Sequence, residues 1–116
     1  MSYVPDRGDV VWLMFSPEAG HEQAGRRPAV VLSPKPYNAK VGLCLACPLT
    51  SQQKGYPFEV AIPAGLPVSG VILADQIKSL DWRARKARYI CSLPASTVDE
   101  LLAKALVVVA PNEGQA

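Results

Sequence analysis

The sequence has little of the chemistry on which most enzymes rely. Its 116 residues include one histidine, His21, and three cysteines, and aromatic residues make up only 7%. A single histidine excludes any mechanism in which two histidines exchange protons. Cys44 and Cys47 form a CxxC spacing, but the chain has no second ligand pair, and Cys91 is left over. We therefore expect no metal site and no other cofactor, and we predict that the cysteines of the apolar run are buried, reduced thiols.

Long hydrophobic runs are also absent. No apolar stretch approaches eighteen residues, which excludes a membrane-spanning helix, and the start "MSYVPDRGD" lacks the apolar core of an export signal. We therefore expect a cytoplasmic protein. Hydrophobic residues make up 49% and charged residues 19%, which is typical of a folded chain. At this length residues 1–116 are expected to form a single domain.

Short apolar runs, separated by proline, glycine or polar residues, fill most of the chain. Each run is of strand length and rich in Val, Ile, Leu or aromatic residues. They cover residues 10–15, 29–33, 43–50, 58–62, 70–74 and 87–93. Pro48 has no N–H to donate, so a bend, bulge or edge is expected there. This pattern predicts a mainly β fold, a small and strongly curved antiparallel sheet or barrel.

The pattern changes after residue 94. The segment "STVDELLAKALVVVA" has apolar residues at helical spacing, so one amphipathic helix is expected to close the chain. Thr97 is predicted to be its N-cap, with Glu100 completing a capping box and Asp99 in the first turn. The polar tail 111–116 is expected to fray.

Two polar segments follow apolar strands and carry hydrogen-bond donors. In "EQAGRRPAVVLSP" Arg26 and Arg27 precede Pro28, and "LTSQQKGYP" offers Thr50, Gln52 and Lys54. Guanidinium, ammonium, hydroxyl and amide donors suit a phosphodiester, since arginine forks onto two phosphate oxygens. If the two strands are neighbours, these donors converge. The other interpretation is that both arginines are solvated ends of an edge strand.

Positive charge is concentrated in one part of the chain although the net charge is only +2. Five of the twelve cationic side chains lie between residues 78 and 88: Lys78, Arg83, Arg85, Lys86 and Arg88. Such a cluster is typical of a face that binds a polyanion. Equally, positive charges on an edge strand protect against sheet-to-sheet pairing.

Four stretches together resemble the MazF/PemK family of bacterial toxins: "VPDRGDVVW", "EQAGRRPAVVLSP", "TSQQKGYPFEV" and "ADQIKSLDWRAR". The resemblance covers almost the whole chain. It implies an SH3-like antiparallel barrel with a C-terminal helix, assembled as a homodimer. It also implies the toxin of a toxin–antitoxin system, a metal-independent endoribonuclease that cuts single-stranded RNA at specific sequences. The implied second partner is an antitoxin whose extended C-terminal part occupies the RNA site.

The resemblance also implies the residues of the site. Arg27 and Thr50 match the family's catalytic pair, and Glu22 matches an acidic residue tied to activity. The implied reaction uses the 2′-hydroxyl of the RNA as nucleophile, with Glu22 as supporting base and Arg27 as donor to the leaving 5′-oxygen, and yields a 2′,3′-cyclic phosphate and a 5′-hydroxyl. The predicted RNA contacts are His21, Gln23, Gln52, Lys54, Asp75, Gln76 and Lys78.

The chain departs from the family around Phe15, where Met14 and Ser16 stand in place of the acids that members often carry. Two alternatives to a ribonuclease stay open at this point. One is a nucleic-acid-binding module without catalysis, in which Trp82, Tyr56 and Phe58 stack bases. The other is a toxin of the same fold that targets a topoisomerase. Retention of both Arg27 and Thr50 favours the ribonuclease over that second alternative.

Overall fold

The computed structural model describes residues 3–15 and 25–111. Within these ranges the chain forms seven strands and two helices. In chain order they are β1 (Asp9–Met14), β2 (Arg26–Val31), α1 (Lys35–Val41), β3 (Cys44–Thr50), β4 (Glu59–Ala61), β5 (Val71–Leu73), β6 (Lys78–Leu80), β7 (Arg88–Ser92) and α2 (Ala95–Val109).

The strands form one antiparallel sheet in the order β4-β5-β3-β2-β1-β7, with β6 added to β3. Every pairing is antiparallel. The predicted mainly β fold with a C-terminal helix is therefore confirmed. The barrel is an open one, because β4 and β7 are the two ends of the described strand order rather than partners.

The sheet buries side chains on both faces. Val10 and Val30 face a core that Leu101 and Ala105 of α2 cover. The next residue, Val11, belongs to a second cluster on the other face, together with Leu13, Val31, Ala46 and Trp82. Such alternation is what the period of two in a strand produces. Each fully buried Val or Leu contributes about 1.5–3 kcal/mol, so both faces hold β1 and β2 in place.

Strand β3 changes its partner along one edge. Cys44, Leu45 and Ala46 pair with β6, whereas Leu49 and Thr50 pair with β5. Pro48 lies between these two stretches, so its missing N–H interrupts neither the pairing with β6 nor the pairing with β5. The bend expected at this proline thus coincides with the change from one partner strand to the other.

The structure contains two elements that the sequence patterns did not predict. Helix α1 buries only one of its seven residues, Asn38, so it has no apolar stripe to detect. The Asn38 side chain instead forms hydrogen bonds with Pro5 and Ser33, and the backbone carbonyl of Asn38 accepts one from the indole of Trp82. Strand β6 has three residues and one buried side chain, Leu80, which is too short for a pattern.

The predicted N-cap of the C-terminal helix was wrong by three residues, although the helix begins within two residues of Thr97. Helix α2 begins at Ala95 with Pro94 at the N-cap, and no side chain caps it. Thr97 lies inside the first turn, where it is buried, so the capping box with Glu100 does not form. The fixed backbone of Pro94 replaces the side-chain cap. In the described part of the chain, no helix combines the length and hydrophobicity required to cross a membrane. Residues 112–116 of the predicted tail lie outside the described residues.

Candidate active site

Arg27 and Thr50 come from the neighbouring strands β2 and β3. Ala29 pairs with Pro48 in a register that runs on through Val30 and Cys47. Two residues beyond that pair, the two chains reach Arg27 and Thr50. The pairing of β2 with β3 ends at Ala29 and Pro48, so Arg27 and Thr50 lie just beyond it, at adjoining strand ends. Arg27 is exposed and Thr50 is half-buried.

A shallow groove of about 180 Å³ lies beside Arg27. Its lining residues are Phe15, Arg27, Pro28, Ala29, Ala46, Cys47, Pro48, Leu49, Lys78 and Leu80. We call it the Arg27 groove. Its floor is apolar, and its charged side chains are both cations, Arg27 and Lys78. Lys78, which the sequence predicted as an RNA contact, is thus brought to the same groove as Arg27, and the pair suits an anionic backbone.

A second depression, of about 160 Å³, lies beside Thr50. Its lining residues are Thr50, Gln52, Lys54, Tyr56, Glu59, Leu73 and Gln76. We call it the Thr50 groove. It gathers three of the predicted RNA contacts, Gln52, Lys54 and Gln76. The Thr50 hydroxyl oxygen accepts the backbone N–H of Gln52 at 3.1 Å, which leaves its own hydrogen free to donate to a ligand.

Two carboxylates fix the loop 51–57 that carries these donors. The Glu59 carboxylate accepts the backbone N–H groups of Lys54 at 2.9 Å and Gly55 at 3.0 Å. The hydroxyl of Tyr56 donates to Asp75 at 3.2 Å. This hydrogen bond with Asp75 is the main reason why the pKa of Tyr56 is raised above its usual value. An exposed loop is therefore held at two points, which fixes the positions of Gln52 and Lys54 relative to Thr50.

Asp75 differs from the other predicted RNA contacts in its surroundings. It lines neither the Arg27 groove nor the Thr50 groove. One of its carboxylate oxygens holds Tyr56, and the other is buried without a hydrogen-bond partner among the described atoms. In this structure Asp75 anchors the loop.

Sequence reasoning missed two residues that shape the site, Glu59 and Gly70, and it considered Tyr56 only as a surface for base stacking. Glu59 and Tyr56 act through contacts with a loop whose conformation no pattern indicates. Gly70, with φ of 102°, packs against the backbone of Thr50. An isolated glycine before an apolar run is the signal that could have singled out Gly70.

Other sequence predictions for the site have mixed outcomes. His21, Glu22 and Gln23 lie outside the described residues, as does Ser16. Trp82 cannot stack bases, because it is only 5% exposed and its indole is bonded to Asn38. Cys44 and Cys47 are buried free thiols, as predicted.

The five cationic side chains between residues 78 and 88 have different neighbours in the structure. Arg83 lies over the ring of Trp82, with 4.8 Å from its guanidinium carbon to the ring centroid. Arg85 lies 5.0 Å from the centroid of Phe15, and its guanidinium donates to the carbonyl of Met14 at 2.9 Å. Lys78 lines the Arg27 groove, whereas Lys86 and Arg88 line a different one.

A small curved antiparallel sheet with a C-terminal helix and donor-rich grooves at its strand ends matches one family of toxins. Residues 6–109 match the model of the PemK-like, MazF-like toxins of type II toxin–antitoxin systems. Because the match covers most of the chain, this protein belongs to that family.

Individual relatives agree with the family match. The chain is 61% identical over 85 residues to the endoribonuclease toxin MazF of Escherichia coli K12, covering 73% of this chain and 76% of that protein. It is 36% identical over 110 residues to the endoribonuclease toxin ChpB of the same organism, covering 90% and 93%.

Solved structures are similar as well. The crystal structure of MazF from Deinococcus radiodurans superposes with a TM-score of 0.84 at 55% identity, covering 95% of this chain and 100% of that chain. A crystal structure of MazE–MazF from the same organism gives 0.85 at 50% identity, covering 96% and 100%.

Proposed function

We propose that this protein is an endoribonuclease toxin that cuts single-stranded RNA at specific sequences without a metal ion. The relatives described above are named as endoribonucleases, and the chain belongs to their family. The observation that supports the proposal is the pairing of β2 with β3, which makes Arg27 and Thr50 residues of adjoining strand ends. A guanidinium and a hydroxyl in that arrangement suit one phosphate group.

In the proposed reaction the 2′-hydroxyl of the RNA attacks the adjacent phosphorus, and the bond to the 5′-oxygen breaks. The products are a 2′,3′-cyclic phosphate and a 5′-hydroxyl. Arg27 stabilises the negative charge that grows on the phosphate oxygens, since its contacts strengthen as the transition state forms. Thr50 donates its hydroxyl hydrogen to the same oxygens. Glu22 is proposed to take the proton of the 2′-hydroxyl, while Arg27 donates to the leaving 5′-oxygen.

Recognition of the bases is assigned to the polar groups around the scissile phosphate. Unpaired bases expose edges that amides can bind, whereas the deep major groove of double-stranded RNA excludes side chains. Gln52, Lys54 and Gln76 line the Thr50 groove and Lys78 lines the Arg27 groove, so these four are proposed to contact the RNA. His21 and Gln23 are proposed as further contacts, whereas Asp75 is proposed to act indirectly, through the Tyr56 hydroxyl that it holds.

Cleavage of a long RNA by the purified protein in the presence of EDTA tests the proposal. We expect cuts at a short recurring sequence, and mapping the 5′-hydroxyl ends identifies it. The Arg27→Ala protein serves as the control for a contaminating nuclease. Binding of the RNA without any cutting would show instead a nucleic-acid-binding module, and ends that carry a 5′-phosphate would rule out attack by the 2′-hydroxyl.

We further propose that two copies associate through the C-terminal half of α2. Leu106, Val107 and Val109 are 57%, 67% and 66% exposed, which is unusual for side chains of this size. Leu106 and Val109 line an apolar hollow of about 460 Å³ that includes Tyr37 and Leu45. A second copy would cover this face, and closed two-fold dimers are the commonest assembly. Light scattering is expected to give twice the mass of one chain. The Leu106→Lys variant is expected to give the mass of one chain.

An antitoxin is the other proposed partner. The similar Deinococcus radiodurans chain was crystallised together with MazE. We propose that the extended C-terminal part of a cognate antitoxin occupies the RNA site of this protein. A peptide of that segment is then expected to compete with RNA, and competition is measured as inhibition of cleavage that excess RNA overcomes.

A further inference from the structure

A larger groove lies on the opposite side of β2 from the Arg27 groove. It encloses about 340 Å³ and is lined by Trp12, Leu13, Met14, Arg26, Lys86, Ala87 and Arg88. We call it the Trp12 groove. Consecutive residues of a strand project to opposite faces, so Arg26 faces this groove while Arg27 faces the other. Its volume falls within the range that small-molecule sites occupy.

The Trp12 groove combines a flat aromatic surface with positive charge. The guanidinium carbon of Arg26 lies 4.3 Å from the centroid of the Trp12 ring. Arg88 of β7 pairs directly opposite Trp12 of β1. Three of the lining residues are cations and none is acidic. The only ion pair between described residues joins Lys104 and Glu100, in α2, so no described carboxylate neutralises the groove.

The turn that carries Lys86 is firmly built. Within it, the N–H of Arg85 donates to the carbonyl of Asp81 and that of Lys86 to the carbonyl of Arg83, both at 3.0 Å. Lys86 itself has φ of 55° and is the one non-glycine residue in the described ranges with positive φ. Glycine adopts this conformation without steric cost. A lysine in such a backbone carries a steric cost, and its side chain lines the Trp12 groove together with Arg88.

We infer that the Trp12 groove binds one nucleotide of the RNA strand at a distance from the scissile phosphate. This inference rests on the proposed function. The base stacks on the layer formed by Trp12 and Arg26, because RNA bases stack on both aromatic rings and guanidinium planes. Lys86 and Arg88 contact the phosphate oxygens. An acidic peptide would use the charges but not the flat surface, so the combination favours a nucleotide.

The position of the groove determines which substrates depend on it. Arg27 pairs with Leu13, so it projects to the face of the β1–β2 pair opposite that of Trp12, and the phosphate at Arg27 and the nucleotide at Trp12 belong to different positions of the strand. The groove therefore receives a nucleotide several positions from the cut. Short RNA that spans only the cut site does not reach it, whereas longer RNA does.

Two variants remove the charges while preserving the backbone. Lys86→Gly relieves the positive φ, so the variant is expected to fold at least as well as the parent protein. Arg88→Gln keeps an extended polar side chain on the exposed surface of β7. Lys40→Gln, in α1, removes one exposed positive charge away from both grooves and is the control for a general effect of charge. Trp12→Leu tests the aromatic surface separately.

The experiment measures kcat/KM for two RNAs that contain the mapped cut sequence. One has about 5 nucleotides and spans only the cut site, whereas the other has about 15 nucleotides and also reaches the Trp12 groove. For the double variant Lys86→Gly/Arg88→Gln we expect about a tenfold loss on the longer RNA, because its charge-assisted hydrogen bonds to phosphate no longer form, and no change on the shorter one. Trp12→Leu is expected to lose about fivefold on the longer RNA alone. Lys40→Gln is expected to match the parent on both.

Binding of a 15-mer with 2′-O-methyl riboses, which lacks the nucleophile, provides a second readout. The slope of log affinity against log salt is expected to fall by about 0.7 for each phosphate that the variant no longer binds. Equal losses on both RNAs, or none on either, would overturn the inference while leaving the proposed function intact. If the parent protein cuts neither RNA, the proposed function fails. The binding measurement then tests the groove separately, and the same salt slope for the variant and the parent would reject binding of a nucleotide there. Loss of binding to an acidic peptide, with RNA unaffected, would show a protein contact instead.

Discussion

Gly70 lies so close to Thr50 that a Cβ atom on Gly70 would be 2.2 Å from the carbonyl oxygen of Thr50. Real Cβ atoms do not approach a backbone oxygen to this distance, so one of the two chains has to move if a side chain is added. Thr50 ends β3 and carries the proposed catalytic hydroxyl, and β5, which follows Gly70, pairs with it. The position of that hydroxyl therefore depends on a glycine outside the grooves.

Gly70→Ala is accordingly expected to reduce RNA cleavage by tenfold or more, since a displacement of about 1 Å costs on the order of a hundredfold at a catalytic centre. Gly65→Ala is the matched control. Gly65 has φ of 94°, close to the 102° of Gly70, but a Cβ there meets nothing within 4 Å. Both variants carry backbone strain of about 1–2 kcal/mol. Only Gly70→Ala is expected to lose activity beyond its loss of stability; equal activities would contradict the assignment.

Much of this fold is readable from the sequence, because strand runs, turn residues and a helical period are local signals. Arg27 and Thr50 stood out as polar residues at the ends of apolar strands. Glu59 and Gly70 did not, because their roles depend on which loop and which strand the fold brings against them. Helix α1 was missed for a related reason, since one buried asparagine holds it rather than an apolar stripe.

The exposed position of Arg27 allows catalysis to be separated from stability. Arg27→Ala is expected to lower the cleavage rate about a hundredfold, the loss typical of removing one donor to the transition state. Arg27→Lys keeps the charge but not the two-pronged geometry, so an intermediate loss is expected. Neither change removes buried surface, and the melting temperature should stay within a few degrees. Near-parent cleavage by a folded Arg27→Ala protein would refute the proposed role.

Glu59 provides a test of the loop that surrounds Thr50. In Glu59→Gln one of the two oxygens that accept the N–H groups of Lys54 and Gly55 becomes a donor, so one of the two hydrogen bonds is removed. We expect faster amide exchange at these two residues and about a tenfold lower cleavage rate, chiefly through KM. Asp99→Asn removes an exposed carboxylate of α2 and is the control. An unchanged exchange rate at Lys54 and Gly55 would show that the carboxylate does not hold the loop.

The buried thiols make stability depend on pH in the alkaline range. Burial raises the pKa of Cys44 from 9.0 to about 11, and burial together with Asp75 raises that of Cys47 to about 12. The folded protein therefore holds these protons more tightly than the unfolded chain does. The stability they contribute is fully present below pH 9 and is lost as the pH rises through about 11 and 12.

Urea unfolding at pH 8 and pH 10 measures this dependence. Because one pKa unit corresponds to about 1.4 kcal/mol, the two thiols together are expected to account for about 3 kcal/mol of lost stability at the higher pH. Lysine and tyrosine side chains also titrate there, so the Cys44→Ala/Cys47→Ala variant is the necessary reference. It is expected to lose less stability than the parent between the two pH values. An identical loss in both proteins would mean that the thiols titrate alike in the folded and unfolded chains, and that the core around β3 admits water.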